Sequence, residues 1–246
     1  MFSKDLQKRK RPFKSSKEAR KALFHITLDE IQLGCANHLL STLIKERPAE
    51  VYAIALDLLR DHKLPAGIDK VVEEIARSAA RQSLRDLPPR IWNAKMDVKF
   101  DDYTHFTSYY LQCSIRLDQF LVTEELIKKT GTEWVWFNSR CGVCPLTTQS
   151  IVVPIAALGI KKHPTTWWVE YWEKVVSAIG ECPCEDWFKD SRIWSSTLWT
   201  LEKECPTCYR RAAEEYPRFN KMVIDITIDI IKGVSIHVSI DLSAKA

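Results

Sequence analysis

Scarcity narrows this chain before any motif does. Glycine occurs only seven times in 246 residues, and none of the seven builds a phosphate cradle of the Walker or Rossmann form. No apolar run approaches the ~20 residues that a membrane-spanning helix requires. The N-terminal stretch "MFSKDLQKRKRPFKSSKEARK" has no apolar segment behind it and does not read as a secretory signal. Its Asp5 and Glu18, and its lack of helical amphipathicity, also argue against a mitochondrial transit peptide. The six histidines (25, 38, 62, 105, 163 and 237) make no H-E-x-x-H, H-x-x-x-H or H-x-E pattern, and no G-x-S-x-G occurs. The H-x-E with P-C-x-x-C signature of the zinc deaminases is likewise unmet. The carboxylate pairs Glu73-Glu74 and Glu124-Glu125 fall on helix surfaces, where solvation explains them. These gaps lean away from an enzyme and toward a nuclear or cytoplasmic, non-secreted chain without a membrane partner.

What is present is ordinary for a globular protein: 46% apolar and 28% charged residues. The length fits one large domain or two small ones, enough to bury a core without staples. The net charge of +4 is unevenly spread, because residues 1–21 hold nine Lys/Arg against two acids, which leaves the remainder at −3. A mildly acidic body offers no broad nucleic-acid surface. The arm itself, a solvated disordered segment by composition, holds the import-like run Lys8, Arg9, Lys10, Arg11. Residues 4–21 are the one stretch suited to weak nucleic-acid contact.

Beyond the arm the apolar spacing is helical. Thr27 and Glu30 have the form of a capping box, ahead of Ile31, Cys35, Leu39, Leu40, Leu43 and Ile44. Pro48 opens a second helix in its tolerated first turn, with Val51, Ile54, Ala55, Leu58 and Leu59 as the buried stripe. A third carries Ile68 to Leu84 and stops before Pro88-Pro89. Asp101 and Asp102 suit the start of a fourth, and a helix from Leu121 to Lys129 closes at Gly131. Residues 138–165, broken by Pro145, Pro154, Gly159 and Pro164, read as an irregular connection. "TTWWVEYWEKVVSAIG" gives one strong helix ended by Gly180, and a shorter one runs from about Ile193 to Glu202. In "VIDITIDI" the isoleucines at 224, 226, 228 and 230 alternate as in a strand, whereas Met222, Ile226, Ile230 and Val234 also fit a helix. The final "VSIHVSIDL" is the better strand candidate. The expected fold is mainly α: a basic arm at 1–21, an antiparallel helical array at 22–130, and a cysteine-clipped helical region at 131–246 with a short C-terminal β or helical segment.

Eight cysteines carry the most specific signal. Cys141/Cys144 and Cys205/Cys208 are each C-x-x-C, Cys182/Cys184 is C-x-C, and Cys35 and Cys113 stand alone in helical patterns as small buried residues. In a reducing compartment clustered cysteines read as ligands rather than as disulfides. Two thiolates on one tight turn can both face an ion at ~2.3 Å, and two such turns complete a four-thiolate zinc site. Gly142 frees the first turn, and Arg140, Lys203, Arg210 and Arg211 offset the negative charge. Sixty residues separate Cys144 from Cys205; loop-closure entropy grows slowly enough to allow this. Cys182, Cys184 or His163 are the alternative ligands. A redox pair, which wants a thiolate beside a βαβ pattern, and cysteines that merely pack remain as competing readings.

The order of these features resembles that of the fungal BTB/POZ-domain proteins, in the region after the BTB fold. The segments that carry the resemblance are "CANHLLSTLIKERPAEVYAIALDLL", "AARQSLRDLPPRIW", "FTSYYLQCSIRL", "WVWFNSRCGVC", "HPTTWWVEYWEKVVSAIGECPC" and "CPTCYRRAAEEYPRFNKMVIDI", spanning about residues 33–240. The resemblance implies a helical extension with a helical last segment. It also implies a role in protein–protein interaction, as an adaptor in ubiquitin-ligase or transcription-related assemblies. Because residues 1–32 hold only the arm and a helix start, the BTB dimerisation and cullin-binding surface is expected to be missing or truncated. The alternatives are a nuclear zinc-containing nucleic-acid-associated factor and a metalloenzyme with an open zinc position.

Overall fold

Apolar spacing near 3.6 residues dominates this sequence, and the result is a helical protein. A computed structural model describes residues 38–61, 68–86, 100–138, 141–159 and 162–236. Among the described residues there are ten helices and no strand, only an isolated antiparallel bridge between Leu146 and Thr165. The import-like run at 8–11, the capping box at 27–30, Cys35 and most of the C-terminal strand candidate lie outside the described residues. The structure divides into two compact units, one within Met1–Tyr110 and Ser235–Ala246, the other Leu111–Val234.

The first unit contains α1 (His38–Glu46), α2 (Pro48–Asp61), α3 (Ile68–Asp86) and the opening turns of α4 (Phe100–Leu121). Pro48 stands at the start of α2, where its missing N–H breaks no helical bond. Every residue from Val51 to Leu56 is buried, so α2 is apolar all round and serves as the centre against which α1 and α3 pack. The small side chains Ala76, Ala79 and Ala80 on α3 are fully covered, which allows close helix approach. Phe106 meets Tyr52 edge-on with ring centres 5.9 Å apart. Asp102 does more than meet a helix dipole. It is wholly buried and accepts a hydrogen bond from Arg60 at 3.2 Å.

The second unit comprises the rest of α4 with α5 (Glu124–Thr130), α6 (Ile155–Leu158), α7 (Thr166–Glu181), α8 (Asp186–Lys189), α9 (Ser191–Glu204) and α10 (Pro206–Lys232). Thr123 caps α5 through its hydroxyl, and Gly131 ends it at φ 81°. The positive φ is what asks for glycine there, since a Cβ would meet only the tip of the exposed Glu133 side chain, which can swing aside. Gly180 does not end its helix: α7 runs on to Glu181 and is closed by Cys182, whose N–H donates to the Ala178 carbonyl. Asp190 caps α9 by accepting from Arg192 N–H at 2.9 Å.

The segment at 224–231 is helical. α10 buries Cys208, Ala212, Tyr216, Phe219, Val223, Thr227 and Ile231, a line spaced by three and four residues. The alternating isoleucines flank that line half-buried, so the strand-like pattern is a by-product of a wide apolar helix face. Pro217 sits inside α10. An interior proline costs about 3 kcal/mol, so packing must hold the helix together there.

That packing is aromatic. Trp136 stacks on Trp168 at 4.2 Å and 9°, with Trp134 and Trp172 continuing the stack on either side. Phe219 of α10 meets all four rings edge-on at 5.1–5.9 Å. Beside them Trp194 of α9 stacks on Tyr216 at 3.7 Å. The Tyr171 and Tyr216 hydroxyls share a hydrogen bond of 2.8 Å, and Asn220 ties Tyr216 to the Phe188 carbonyl. Burial pushes the Tyr216 phenol up to about 12. Trp172 donates its indole N–H to the Leu121 carbonyl and Trp134 to that of Thr130. Replacing Trp168 by Ala should destabilise the second unit by about 3–5 kcal/mol, measured as a lowered midpoint in denaturant unfolding.

Candidate metal centre

The first cysteine pair lies on a tight turn. Gly142 adopts φ 69°, a left-handed conformation that L side chains rarely take. With the chain turned this way, Val143 N–H and Cys144 N–H both point at Cys141 Sγ, at 3.5 and 3.2 Å. Two backbone donors thus fix the position of that sulfur. The turn is anchored to α7 by short backbone links: Thr147 N–H to the Pro164 carbonyl at 2.8 Å and Thr166 N–H to the Pro145 carbonyl at 3.0 Å. Thr165 N–H, in turn, donates to the Trp136 carbonyl at 2.9 Å. The irregular connection foreseen at 138–165 is therefore pinned at both ends.

The second pair occupies a corner between two helices. Cys205 ends α9, its N–H donating to the Leu201 carbonyl at 2.8 Å, and its own carbonyl starts α10 by accepting from Tyr209 N–H. Pro206 takes the first helical position, and Cys208 follows in the first turn. Both residues thus stand at the start of a 27-residue helix. Cys205 and Cys208 are buried, whereas Cys141 and Cys144 are half-exposed.

The two pairs meet. The Sγ atoms of Cys141, Cys144, Cys205 and Cys208 all lie within 4.8 Å of one another. A tetrahedron of thiolates at ~2.3 Å from a central ion has edges of ~3.8 Å, so a small contraction completes the shell. Burial pushes the Cys144 thiol up, and hydrogen bonds with Cys205, Cys208 and Cys141 add to the effect. A divalent ion among the four sulfurs would reverse that effect. The donor set, four sulfurs with no oxygen or nitrogen, fits a soft or borderline metal ion.

The other predicted ligands are elsewhere. Cys182 and Cys184 close α7 as a separate buried pair, and the half-buried His163 stands before Pro164; none of the three joins the four-sulfur group. Cys113 is fully buried on α4. Of the expected compensating cations, Arg211 is engaged with Glu215 at 3.0 Å and Lys203 lies 3.3 Å over the Trp199 ring. The pattern of sequence spacing did not signal that the loop held by the cluster would expose apolar side chains. Val143 and Ile151 are 67% and 91% exposed, and Leu146 is exposed between them. Among the described residues, no helix is long and apolar enough to cross a membrane. Comparison of the chain with protein-family models, with curated proteins and with solved structures finds no match.

The Gly142 conformation gives a direct check on the turn. An added Cβ would meet nothing within 4 Å, so the cost of Gly142→Ala is conformational, about 1–3 kcal/mol. Gly142→Asn, which tolerates the left-handed region, should lose less. Thermal unfolding of the two variants side by side measures the difference.

Proposed function

We propose that the chain is a non-enzymatic protein-interaction module whose second unit is closed by a structural zinc ion. The observation that carries this reading is the convergence of four cysteine sulfurs from two distant turns. A complete set of four protein thiolates is the donor arrangement of structural zinc sites, whereas catalytic zinc keeps one position for water or substrate. When bound, the ion supplies a cross-link between the 141–144 turn and the α9–α10 corner. The loop that leaves this cross-link presents Val143, Leu146 and Ile151 to solvent. Neighbouring exposed apolar residues on an anchored loop favour docking of a protein partner. The resemblance to the helical region of BTB/POZ proteins supports the same reading and extends it to adaptor assemblies, with ubiquitin-ligase or transcription machinery as the candidates.

Metal analysis tests the first half of the proposal. Purified protein should hold a single zinc ion per chain, and thiol titration should release four more reactive sulfurs after chelation than before. Cys141→Ser and Cys205→Ser should each abolish binding. With free zinc ~100-fold above Kd, removal of the ion should cost about 2.7 kcal/mol of stability. Binding must displace thiol protons, so apparent zinc affinity should rise with pH. A fully folded, metal-free protein of unchanged stability overturns the zinc reading.

The interaction half is tested by the double variant Leu146→Asp with Ile151→Asp. Its zinc content and unfolding midpoint should match those of the parent chain, because both side chains are exposed. A partner captured reproducibly under native conditions by the parent should be lost. Retention of that partner excludes the loop, and the lack of any reproducible partner excludes the interaction module.

A further inference from the structure

A second thiol pair stands apart from the four-sulfur cluster, at the far end of α7. Cys182 closes the helix by donating its N–H to the Ala178 carbonyl at 3.0 Å, and its backbone then leaves the helical region at φ −148°, ψ 99°. Pro183 follows, and the chain folds straight back: Cys184 N–H donates to the Cys182 carbonyl at 2.8 Å. A bond from residue i+2 to residue i closes a three-residue turn. The Trp187 indole N–H donates to the same carbonyl at 2.9 Å. Two donors therefore hold the carbonyl of the first cysteine while the second is turned toward it.

The outcome is a dithiol already facing itself. Cys182 Sγ and Cys184 Sγ are 3.7 Å apart, in side chains only 8% and 4% exposed. In an extended chain, residues two apart have Cα atoms ~6.6 Å from each other, given a rise of ~3.3 Å per residue. The turn draws them closer, toward the ~5.5–6 Å at which most disulfides form. Closing the bond then requires the sulfurs to approach by about 1.7 Å, to ~2.05 Å, which side-chain rotation can supply. Packing alone explains none of this orientation, since two buried small residues have no reason to aim their sulfurs at one another. A metal half-site is also a poor account, because the described residues offer no third His, Cys, Asp or Glu ligand to this pair.

We propose that Cys182-Pro183-Cys184 is a peroxide-sensitive vicinal dithiol that closes reversibly to an intrachain disulfide. Cys184 is the attacking sulfur. It shares a hydrogen bond with the Cys182 thiol and accepts one from the Asp186 backbone N–H, and these hold its thiol below the usual range against burial and the nearby Asp186 and Glu185 carboxylates. The Cys184 thiolate attacks one oxygen of hydrogen peroxide; the O–O bond breaks, hydroxide leaves and becomes water with the proton that Cys184 gave up, and a sulfenic acid forms. The Cys182 sulfur then attacks the Cys184 sulfur, the S–O bond breaks, and the second oxygen departs as water with the Cys182 proton. Two thiols have lost two electrons and peroxide has gained them, giving one disulfide and two waters. Burial restricts the pair to small oxidants, and the tight ring makes the disulfide easy to reduce. The inference is independent of the zinc reading, because it uses none of the four cluster cysteines.

The test uses the full chain, reduced and zinc-loaded. The protein is exposed to hydrogen peroxide, its remaining thiols are blocked with N-ethylmaleimide, and it is digested without reductant for peptide mass analysis. The peptide spanning 182–184 should lose two hydrogen masses and both sites of alkylation, and dithiothreitol should restore both. In Cys182→Ser the reaction should stop at a Cys184 sulfenic acid that dimedone captures, and in Cys184→Ser neither product should form. The wild-type peptide alone decides the matter if either variant folds poorly. Full alkylation of both cysteines, after a dose that oxidises equimolar glutathione, overturns the proposal. So does direct passage to sulfonic acid, or linkage of either cysteine to another part of the chain. Zinc content measured on the same samples shows separately whether the four-sulfur cluster holds its ion.

Discussion

The stacking of Trp136 on Trp168, with Phe219 set edge-on against both, is the contact on which the second unit depends. Each ring belongs to a different part of the chain. Trp136 lies five residues before Cys141, Trp168 stands in the first turn of α7, and Phe219 is on the helix that begins at the second cysteine pair. Burying large aromatic surfaces at one point sets the relative placement of the three segments. The sulfurs are thus brought near one another by the aromatic core, and a bound ion would lock an arrangement that packing already favours. The same core carries α10 past Pro217, since Tyr216 and Phe219 are fastened on either side of the break in its hydrogen-bond ladder.

The two thiol groups of this unit differ in chemistry for reasons of geometry. At the 141–144 turn and the α9–α10 corner, four sulfurs converge, a donor set that could hold a soft or borderline cation. At the end of α7 there are only two, held by one backbone turn. Cysteines are therefore placed where they could hold an ion at one point and, on the proposal above, undergo two-electron chemistry at the other. Number and spacing decide, more than exposure.

Much of this was readable from residue order. The helix starts at Pro48 and near Asp101, the close of α5 at Gly131 and the strong helix that carries Trp168 and Trp172 followed from periodicity and capping. The pairing of Cys141/Cys144 with Cys205/Cys208 followed from the preference of tetrahedral ions for two short turns. Other features were hidden because local signals pointed two ways. Ile224 to Ile230 alternate with polar residues, and only the line Phe219, Val223, Thr227, Ile231 against the aromatic core makes that segment a helix. Gly180 looked like a stop signal, yet α7 continues because the next cap is Cys182. The burial of Asp102 beside Arg60, 42 residues away, is a tertiary matter that no window of sequence contains. The exposure of Val143 and Ile151 is of the same kind, since apolar residues in a loop carry no mark of which way they face.

The sixty residues between the two cysteine pairs bear on timing. In a compact zinc ribbon the ligands are neighbours, so the ion can gather them early and organise the fold around itself. Here α6, α7, α8 and α9 are the chain in between, so the two turns meet only by closing a loop of sixty residues. Contacts so distant in sequence are slow to form. An ion taken up at this site would act as a seal applied after assembly, retained by chains that have folded correctly and refused by those that have not.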